Sequence, residues 1–361
     1  MKTLDATSPS PSPLPSPSAG VGREEIITLK HGAGGRAMRR LIEETLTNGL
    51  RSPIPDAIGL AEMDDGAAVR IGDQWLVITT DSHVVHPYIF PGGDIGRISI
   101  AGTVNDLAMM GATRVLGLTC AVIIEEGFPK SELEKIQRSL LETCEEAGVS
   151  ILTGDTKVMG RGEIDGIVIN TTGIGLTDHL IRDAGLRPGD RIVVTGTVGD
   201  HGIALMAARR GFGFDGDLRS DVAPLRSLIE RVSDVAPRGI TAMKDPTRGG
   251  VASALHEMAQ KGGVGIVIDE PAIPLRPVVR AAAEMLGLDP LHIANEGKAL
   301  MGVNPAQLDD VMVALRSHPL GADAAVIGTC TTERPGQIIL DTGFGRRLLA
   351  EPDGEPLPRI C

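Results

Sequence analysis

The apolar residues of this chain are almost entirely aliphatic and occur in short runs, which limits the folds open to it. The 361 residues include only 1 Trp, 1 Tyr and 5 Phe, so Val, Ile, Leu, Ala and Met must fill the core. Short aliphatic runs bounded by glycine and charged residues, such as 75–80 and 115–124, are typical of strands covered by helices. The sequence therefore predicts an α/β protein in which helical layers cover a sheet.

Hydrophobic periodicity and turn residues predict the order of elements along the chain. We expect strands at 75–80, 115–124, 151–153, 167–172, 191–195, 265–268 and 324–329. We expect helices at 36–47, 98–110, 131–147, 249–261 and 278–286. The helix at 131 opens with a capping box of Ser131 and Glu134, and Gly148 ends it at the C′ position.

The length predicts two domains, at roughly 100–200 residues per domain. A turn-rich passage at 178–190 divides them into an N-terminal domain at 24–182 and a C-terminal domain at 183–348. The Ser/Pro-rich residues 1–23 are predicted to form a disordered leader, because they offer little apolar surface to bury. Nothing in residues 349–361 is expected to hold a tail against a core, so they are predicted to form a flexible tail that carries a thiol, Cys361.

Charge and cysteine content exclude several classes of protein. With 35 Lys+Arg against 47 Asp+Glu the net charge is −12, which argues against a nucleic-acid partner. No apolar stretch approaches the roughly 18 residues that span a bilayer, and no secretory signal is evident, so we expect a cytoplasmic protein without a membrane partner. The four cysteines form no C-x-x-C pair, which argues against a zinc site, an iron–sulfur site or a disulfide framework.

Acidic residues recur in short motifs that carry the chemical signal of the sequence. The motifs are Asp64-Asp65-Gly66, Asp81-Ser82, Asn105-Asp106, Gly154-Asp155-Thr156-Lys157 and Lys244-Asp245-Pro246-Thr247. Asn105 and Asp106 lie in an otherwise apolar helical run, where a carboxylate needs a compensating cation or hydrogen bonds. Converging carboxylates suit Mg²⁺ and a bound phosphate, whereas the alternative is that each motif is an ordinary cap or turn. No P-loop sequence is present.

Two further features have a functional and a structural interpretation. The loop 31–35 places three glycines before a helix, which suits phosphate binding or a simple turn. His83 and His86 have the spacing of metal ligands, but Pro87 and the two intervening valines favour a structural role.

Taken in order, these motifs resemble the ATP-binding superfamily of aminoimidazole ribonucleotide synthetase. The segments that carry the resemblance are 63–68, 79–83, 103–112, 154–157 and 244–250. Within the superfamily, His31–Gly35, Asn295–Lys298 and the final Pro358-Arg359-Ile360-Cys361 resemble the hydrogenase maturation family HypE. The resemblance implies a two-domain fold, with an α/β N-terminal domain and an α+β C-terminal domain, whose N-terminal sheets pair across a homodimer.

The resemblance also implies an activity and a set of site residues. Cys361 would receive a carbamoyl group from the carbamoyltransferase HypF, and ATP would drive dehydration of this S-carboxamide to an S-cyano group for the HypC–HypD complex. Lys157 would be the cation at the carboxamide or γ-phosphate, and Glu296 the general base. The candidate contacts to nucleotide are Asp64, Asp65, Asp81, Asn105, Asp106, Gly154, Asp155, Asp245 and Thr247, and those to Mg²⁺ are Asp65, Asp81, Asp106, Asp155 and Asp245.

Several alternatives remain open at this point. Glu296 would otherwise be a solvated loop carboxylate beside Lys298, and Cys361 an incidental thiol. The chain would otherwise be another ATP-using member, similar to selenophosphate synthetase or thiamine-monophosphate kinase, or a thiol carrier without ATP chemistry. The first cysteine is Cys120, which disfavours selenophosphate synthetase, because that enzyme normally has an N-terminal Cys or selenocysteine.

Overall fold

The computed structural model describes residues 26–50, 54–211, 217–353 and 359–361, so the leader predicted at 1–23 lies outside the described residues. The strands of the first domain are β1 (Ala67–Ile71), β2 (Gln74–His83), β3 (Ile89–Phe90), β4 (Gly93–Asp94), β5 (Arg114–Glu125), β6 (Ile151–Met159) and β7 (Ile167–Thr177). Its helices are α1 (Gly35–Leu41), which continues as a π-turn (Ile42–Leu46), α2 (Ile95–Met109) and α3 (Lys130–Ala147).

The first domain is built on a five-stranded sheet of order β1-β2-β7-β5-β6. Its pairs are antiparallel except for β5 with β6. Asp94 caps helix α2 by accepting a hydrogen bond from the Arg97 amide at 2.9 Å. Helix α2 is buried over nearly its whole length, because it packs between this sheet and the second domain.

The second domain is an α+β unit around a seven-stranded sheet of order β14-β13-β10-β12-β8-β11-β9. Its strands are β8 (Arg191–Val194), β9 (Ile240–Lys244), β10 (Gly265–Asp269), β11 (Leu300–Val303), β12 (Ala325–Thr331), β13 (Ile338–Asp341) and β14 (Arg346–Leu348). Its helices are α4 (Asp200–Arg210), α5 (Arg226–Val235), α6 (Gly250–Gly262), α7 (Pro277–Leu286) and α8 (Leu308–Arg316). A 3-10 turn (Asp183–Gly185) lies between the two sheets along the chain.

The predicted strands and helices are confirmed, with two local corrections. The capping box is wrong, because helix α3 begins at Lys130 after Pro129 and has no side-chain cap, whereas Gly148 does end it with φ 63°. The segment 154–157 does not end a strand but lies inside β6, whose residues are exposed on both faces. Within the described ranges, no helix combines the length and apolar character needed to span a bilayer.

The expectation that nothing holds the tail against a core is wrong for the parts that the structure describes. Leu349 and Ile360 are each 2% exposed, and Glu351 forms an ion pair with Arg39. The Cys361 carbonyl accepts a hydrogen bond from the Val84 amide at 2.9 Å. The physical reason is that tail backbone and side chains find partners on both domains, which composition alone does not reveal.

Candidate functional site

Four of the predicted acidic residues come together where the two domains meet. Asp65 precedes β1, Asp81 lies on β2, Asp106 lies on α2 and Asp245 follows β9. Burial, followed by the charges of Asp81, Asp245 and Asp65, raises the pKa of Asp106 well above its ordinary value. The Thr79 hydroxyl donates a hydrogen bond to Asp106 Oδ2 at 2.7 Å. These carboxyl groups therefore face one shared space.

The cluster concentrates negative charge without forming a finished metal cage. Burial raises the pKa of Asp245 well above its ordinary value, and the charges of Asp65 and Asp81 raise it further. In the part of the chain that the structure describes, no three His, Cys, Asp or Glu side chains have the spacing of a metal site. Metal coordination by Asp65, Asp81, Asp106, Asp155 and Asp245 therefore stays a prediction.

Lys244 neutralises part of this charge from within the motif 244–250. Its ammonium forms an ion pair with Asp65 Oδ1 and lies 3.4 Å from Glu257 Oε2 and 3.9 Å from Asp183 Oδ2. Only 12% of the Lys244 side chain is exposed. Burial lowers the pKa of Lys244, but the carboxylates of Asp65, Glu257 and Asp183 outweigh that effect and hold it well above its ordinary value. Lys244 thus stays charged and fixes the Asp65 loop to the second domain.

Asp64 joins the two domains rather than facing the shared space. Its side chain is 0% exposed, accepts a hydrogen bond from Arg182 Nε at 2.7 Å and lies 3.5 Å from Lys261 Nζ. Lys261 also contacts Asp183 Oδ2 at 2.5 Å. Burial, with the hydrogen bond that the protonated Asp183 carboxyl donates to Asp64 next in size, raises the pKa of Asp183 to about 8. Asp64 therefore has no exposed surface for contact with a nucleotide and serves as an interdomain anchor.

Both the nitrogen and the oxygen of the Asn105 side-chain amide form hydrogen bonds with the protein backbone. Its Nδ2 donates to the Ala223 carbonyl at 3.1 Å, and its Oδ1 accepts from the Leu225 amide at 2.7 Å. Nδ2 also lies 3.4 Å from the Glu296 carbonyl. Asn105 consequently helps to position the Glu296 segment. Thr247 is half-buried, and its carbonyl accepts the Gly250 amide in the turn that opens α6.

The predicted residues on β6 lie apart from the cluster. Asp155 and Lys157 are exposed and 3.3 Å from each other, and Gly154 is exposed beside them. The strand register runs from Asp155 through β5 and β7 to Ser82, the neighbour of Asp81. Three strand spacings of about 4.8 Å separate Asp155 from the level of Asp81 by roughly 14 Å. Within one chain, Asp155 is therefore too far from Asp81 to share a ligand with it.

Glu296 is buried, and the charges of Asp245 and Asp81 from the shared space reach it. It is 3% exposed, and its Oε1 has no hydrogen-bond partner among the described residues. Its amide donates to Asp221 Oδ1 at 3.1 Å, and Lys298 Nζ lies 3.1 Å from Asp221 Oδ2. Burial, with the charges of Asp245 and Asp221 next, raises the pKa of Glu296 well above its ordinary value, and Arg248 opposes this shift. The alternative of a solvated loop carboxylate is therefore wrong.

Arg248 connects the carboxylates, the glycine loop and the end of the chain. The charge of Cys361 is the largest influence that raises the pKa of Arg248, ahead of Asp81 and Glu296 and against the lowering effect of burial. Gly34 has φ 78°, and a Cβ there would lie 2.9 Å from the Arg248 backbone. The loop 31–35 therefore packs closely on the Arg248 turn, and Cys361 lies within electrostatic range of the site.

The structural interpretation of His83 fits its surroundings. It is 4% exposed, and Thr171 Oγ1 lies 3.4 Å from its Nε2. Burial lowers its pKa, and a Cβ at Gly102 would meet its ring at 3.0 Å. His86 is exposed, and its carbonyl accepts from Arg209.

Sequence reasoning gave no role to several charged residues of the site. They are Arg182, Asp183, Asp221, Lys244, Arg248 and Lys261. Lys244 and Arg248 lie in the segment 244–250, which had already been selected by its motif. A cation next to Asp245 could therefore have been assigned to the site from the sequence. The others carry no local motif.

Comparison with known proteins first defines the class. Residues 63–177 match the N-terminal domain model, and residues 187–341 the C-terminal domain model, of the AIR synthase related proteins. The first match spans all five strands of the first sheet, and the second spans six of the seven strands of the second sheet, all but β14. The chain is therefore a two-domain protein of the AIR synthase related class.

Closer relatives define the family. The chain is 46% identical over 338 residues to carbamoyl dehydratase HypE of Rhizobium leguminosarum bv. viciae, covering 93% of this chain and 95% of that protein. A HypE–HypF complex structure is 41% identical, with TM-score 0.80 over 86% of this chain and 99% of that chain. A structure of HypE with ATP is 40% identical, with TM-score 0.76 over 92% and 100%. The chain belongs to the HypE family of hydrogenase maturation proteins.

Proposed function

We propose that this protein uses ATP to dehydrate a carboxamide on the Cys361 sulfur to a cyano group for hydrogenase maturation. The observation that carries the proposal is the docking of the chain end beside the carboxylate cluster, where the Val84 amide, three residues after Asp81, donates to the Cys361 carbonyl at 2.9 Å. The naming of relatives as carbamoyl dehydratases and the ATP complex of one HypE support it. The names of these relatives and the ATP complex both favour this activity over the alternative of a thiol carrier without ATP chemistry.

The chemistry explains why ATP is required. The amide oxygen leaves poorly as hydroxide. Attack of that oxygen on the γ-phosphoryl group forms a new P–O bond, breaks the bond to the leaving ADP and makes the oxygen part of a good leaving group. Cleavage of the C–O bond then releases phosphate while the remaining N–H protons are lost, and the carbon–nitrogen triple bond forms. Two demands fall on the protein: charge stabilisation at the transferring phosphoryl group and removal of the nitrogen protons.

Glu296 fits the role of general base. Its unpartnered, buried Oε1 is able to accept an N–H proton from the carboxamide. Burial and the charges of Asp245 and Asp221 raise the pKa of Glu296, which makes its ionised form a stronger base, and the positive charge of Arg248 opposes that shift and so favours the ionised form. The Asp221 contact to the Glu296 amide holds the backbone in place.

The carboxylate cluster fits Mg²⁺ that accompanies ATP. Beyond the effect of burial, the charges of Asp65 and Asp81 raise the pKa of both Asp106 and Asp245, as happens where negative charge lacks a counterion. We assign the metal to Asp81, Asp106 and Asp245 together with Asp65. The Lys244 ammonium pairs with Asp65 Oδ1, which leaves Asp65 Oδ2 to bind the metal. When bound, Mg²⁺ would neutralise triphosphate charge. The loop 31–35 would cover the nucleotide from the side of Arg248.

A homodimer completes the proposal. Strand β6 is an exposed sheet edge, and it presents Leu152 at 65% and Val158 at 70% exposure. Long apolar edges of this kind invite pairing with another strand. Asp155 and Lys157 lie on that edge, so their predicted contacts to phosphate and carboxamide would be made across the pairing of two N-terminal sheets.

The remaining partners follow from the chemistry of the tail. A solved HypE–HypF complex supports HypF as the carbamoyl donor. The HypC–HypD complex is the proposed acceptor of the cyano group. We place these exchanges in the cytoplasm.

The test replaces Glu296 by Gln and follows the mass of the peptide that carries Cys361. With HypF, carbamoyl phosphate and ATP, wild type should pass through a carboxamide of about 43 Da added mass to the cyano form. Glu296→Gln should stall at the carboxamide, with cyano formation at least about 100-fold slower. Glu270→Gln is the matched control, because Glu270 is an exposed partner of Arg347 away from the cluster. Cyano formation at the wild-type rate in Glu296→Gln would exclude Glu296 as the base.

A further inference from the structure

The last three residues of the chain lie in a groove that the backbone after β2 helps to form. The Val84 amide donates to the Cys361 carbonyl at 2.9 Å, and the His86 amide donates to the Arg359 carbonyl at 3.1 Å. Between these two bonds, Ile360 turns into the core and is 2% exposed. The alternation of backbone pairing and an inward side chain is the pattern of a short added strand.

The carbonyl of Ile360 points the other way and has one specific partner. His201 Nε2 lies 2.7 Å from that oxygen, and the His201 ring is completely buried. A carbonyl oxygen accepts hydrogen bonds only, so Nε2 must carry the proton. Burial lowers the pKa of His201, which favours the neutral ring with an acceptor at Nδ1.

Ser220 fixes that tautomer. Its Oγ lies 2.7 Å from His201 Nδ1 and accepts a hydrogen bond from the Val222 amide at 3.1 Å. The serine hydroxyl is therefore free to donate its proton to Nδ1, which leaves Nε2–H directed at Ile360. The edge of the ring packs on Phe90 with the centroids 5.5 Å apart. Ser220 and Phe90 thus hold the histidine ring while its Nε2 faces the tail.

The preceding residue is also held in an uncommon conformation. Arg359 has φ 61°, a left-handed backbone conformation that residues with a Cβ rarely adopt. Arg209 donates to the Arg359 carbonyl and to the His86 carbonyl, and the Arg359 guanidinium forms an ion pair with Asp165. Several contacts thus overcome a local conformational preference at the entrance to the groove.

We propose that His201, oriented by Ser220, is a positioning residue that sets the register of the tail and so places the Cys361 sulfur at the reaction site. A slip by one residue would move the thiol about 3.3 Å and turn the apolar side chain of Ile360 away from the core. The Nε2–H group of His201 meets the Ile360 carbonyl only in the register in which the Ile360 side chain faces the core. The role of the register in catalysis rests on the proposed function, whereas the docking itself does not.

The first experiment measures docking without any carbamoyl chemistry. Alkylation of Cys361 by iodoacetamide is followed by mass spectrometry in wild type, His201→Leu, His201→Gln and Ser220→Ala. His201→Leu should raise the alkylation rate of Cys361 at least about tenfold, because a leucine removes the donor but keeps the volume. His201→Gln should restore most of the protection, since its amide both donates and accepts, and Ser220→Ala should fall between.

The buried cysteines supply an internal control for folding. Cys120, Cys144 and Cys330 are buried, so an unchanged alkylation rate at these residues shows that the core is intact. Wild-type protection of Cys361 in His201→Leu, or equal loss of protection in His201→Leu and His201→Gln, would overturn the proposal. If His201→Leu does not fold, the comparison of Ser220→Ala with wild type decides, and equal rates contradict the proposal.

The second experiment adds HypF, carbamoyl phosphate and ATP. His201→Leu should slow cyano formation in proportion to its loss of protection while KM for ATP stays unchanged, because His201 contacts the tail and not the carboxylate cluster. A rise in KM for ATP at unchanged kcat would contradict the positioning role. If His201 protects Cys361 from alkylation but the wild-type protein makes no cyano group, the docking is upheld and the proposed function is refuted.

Discussion

Replacement of Lys244 by Met tests the idea that one buried cation holds the acidic loop of the site. The side chain is 12% exposed and contacts three carboxylates, of which the Asp65 ion pair is the shortest. Met keeps the apolar length of the lysine stem but removes the charge. Asp65 would then stand beside Glu257 with no cation between them.

The expected loss follows from this burial. Removal of one partner from a buried ion pair costs about 3–5 kcal/mol of unfolding free energy, against a total stability of about 5–15 kcal/mol. The double variant Asp65→Asn/Lys244→Met leaves fewer unpaired charges, so it should be more stable than Lys244→Met alone. Lys130→Met is the control, because Lys130 is 89% exposed and its distance to Glu134 is 3.8 Å. It should change stability by no more than about 0.5 kcal/mol.

The assay is urea-induced unfolding of all four proteins, followed by circular dichroism at one pH and salt concentration. Lys244→Met should unfold at a clearly lower urea concentration than wild type, with partial recovery in the double variant. Equal midpoints for Lys244→Met and Lys130→Met would refute the reasoning. So would a double variant that is less stable than Lys244→Met.

Three further predictions concern charge and packing near the cluster. Burial raises the pKa of Asp183 from 3.8 to about 8, so the folded protein keeps a proton that the unfolded chain releases. The contribution of Asp183 to the unfolding free energy should fall between about pH 4 and 8 by up to about 1.4 kcal/mol per pH unit, so urea titrations should show a less negative pH slope for Asp183→Asn than for wild type. Asp106→Asn should weaken Mg-ATP binding about 10- to 100-fold in calorimetric titration without a lower melting temperature, since it removes only a charge that its neighbours repel. Gly34→Ala should slow cyano formation because its Cβ would meet the Arg248 backbone at 2.9 Å, whereas Gly32→Ala, with no atom within 4 Å, should match wild type in the same mass assay.

Much of the fold was predictable because the aliphatic runs have clear boundaries. The run at 115–124 became β5 with one residue added at each end, and the periodic segment at 278–286 became α7. Glycine contributed as well, since Gly148 ends α3 as its position predicted. The start of that helix was not predictable from Ser131 and Glu134, because Pro129 precedes them and fixes the entry of the chain.

The site was predictable as a set of acidic motifs but not as an arrangement. Asp65, Asp81, Asp106 and Asp245 share a space because α2 packs between the two domains. Local sequence cannot distinguish them from Asp64, one residue away, whose side chain points into an interdomain ion-pair network. The docked tail was missed for a related reason: its partners, such as His201, lie more than 150 residues earlier and carry no motif.

The most direct test of the proposed reaction follows the oxygen atom of the carboxamide. Protein carrying an ¹⁸O-labelled carboxamide on Cys361 is mixed with ATP in ordinary water, and both the Cys361 peptide and the released phosphate are weighed by mass spectrometry. Phosphoryl transfer to the amide oxygen predicts that each cyano group formed is matched by one phosphate containing the label. Unlabelled phosphate accompanying cyano formation, or phosphate release with the carboxamide intact, would contradict the proposed mechanism.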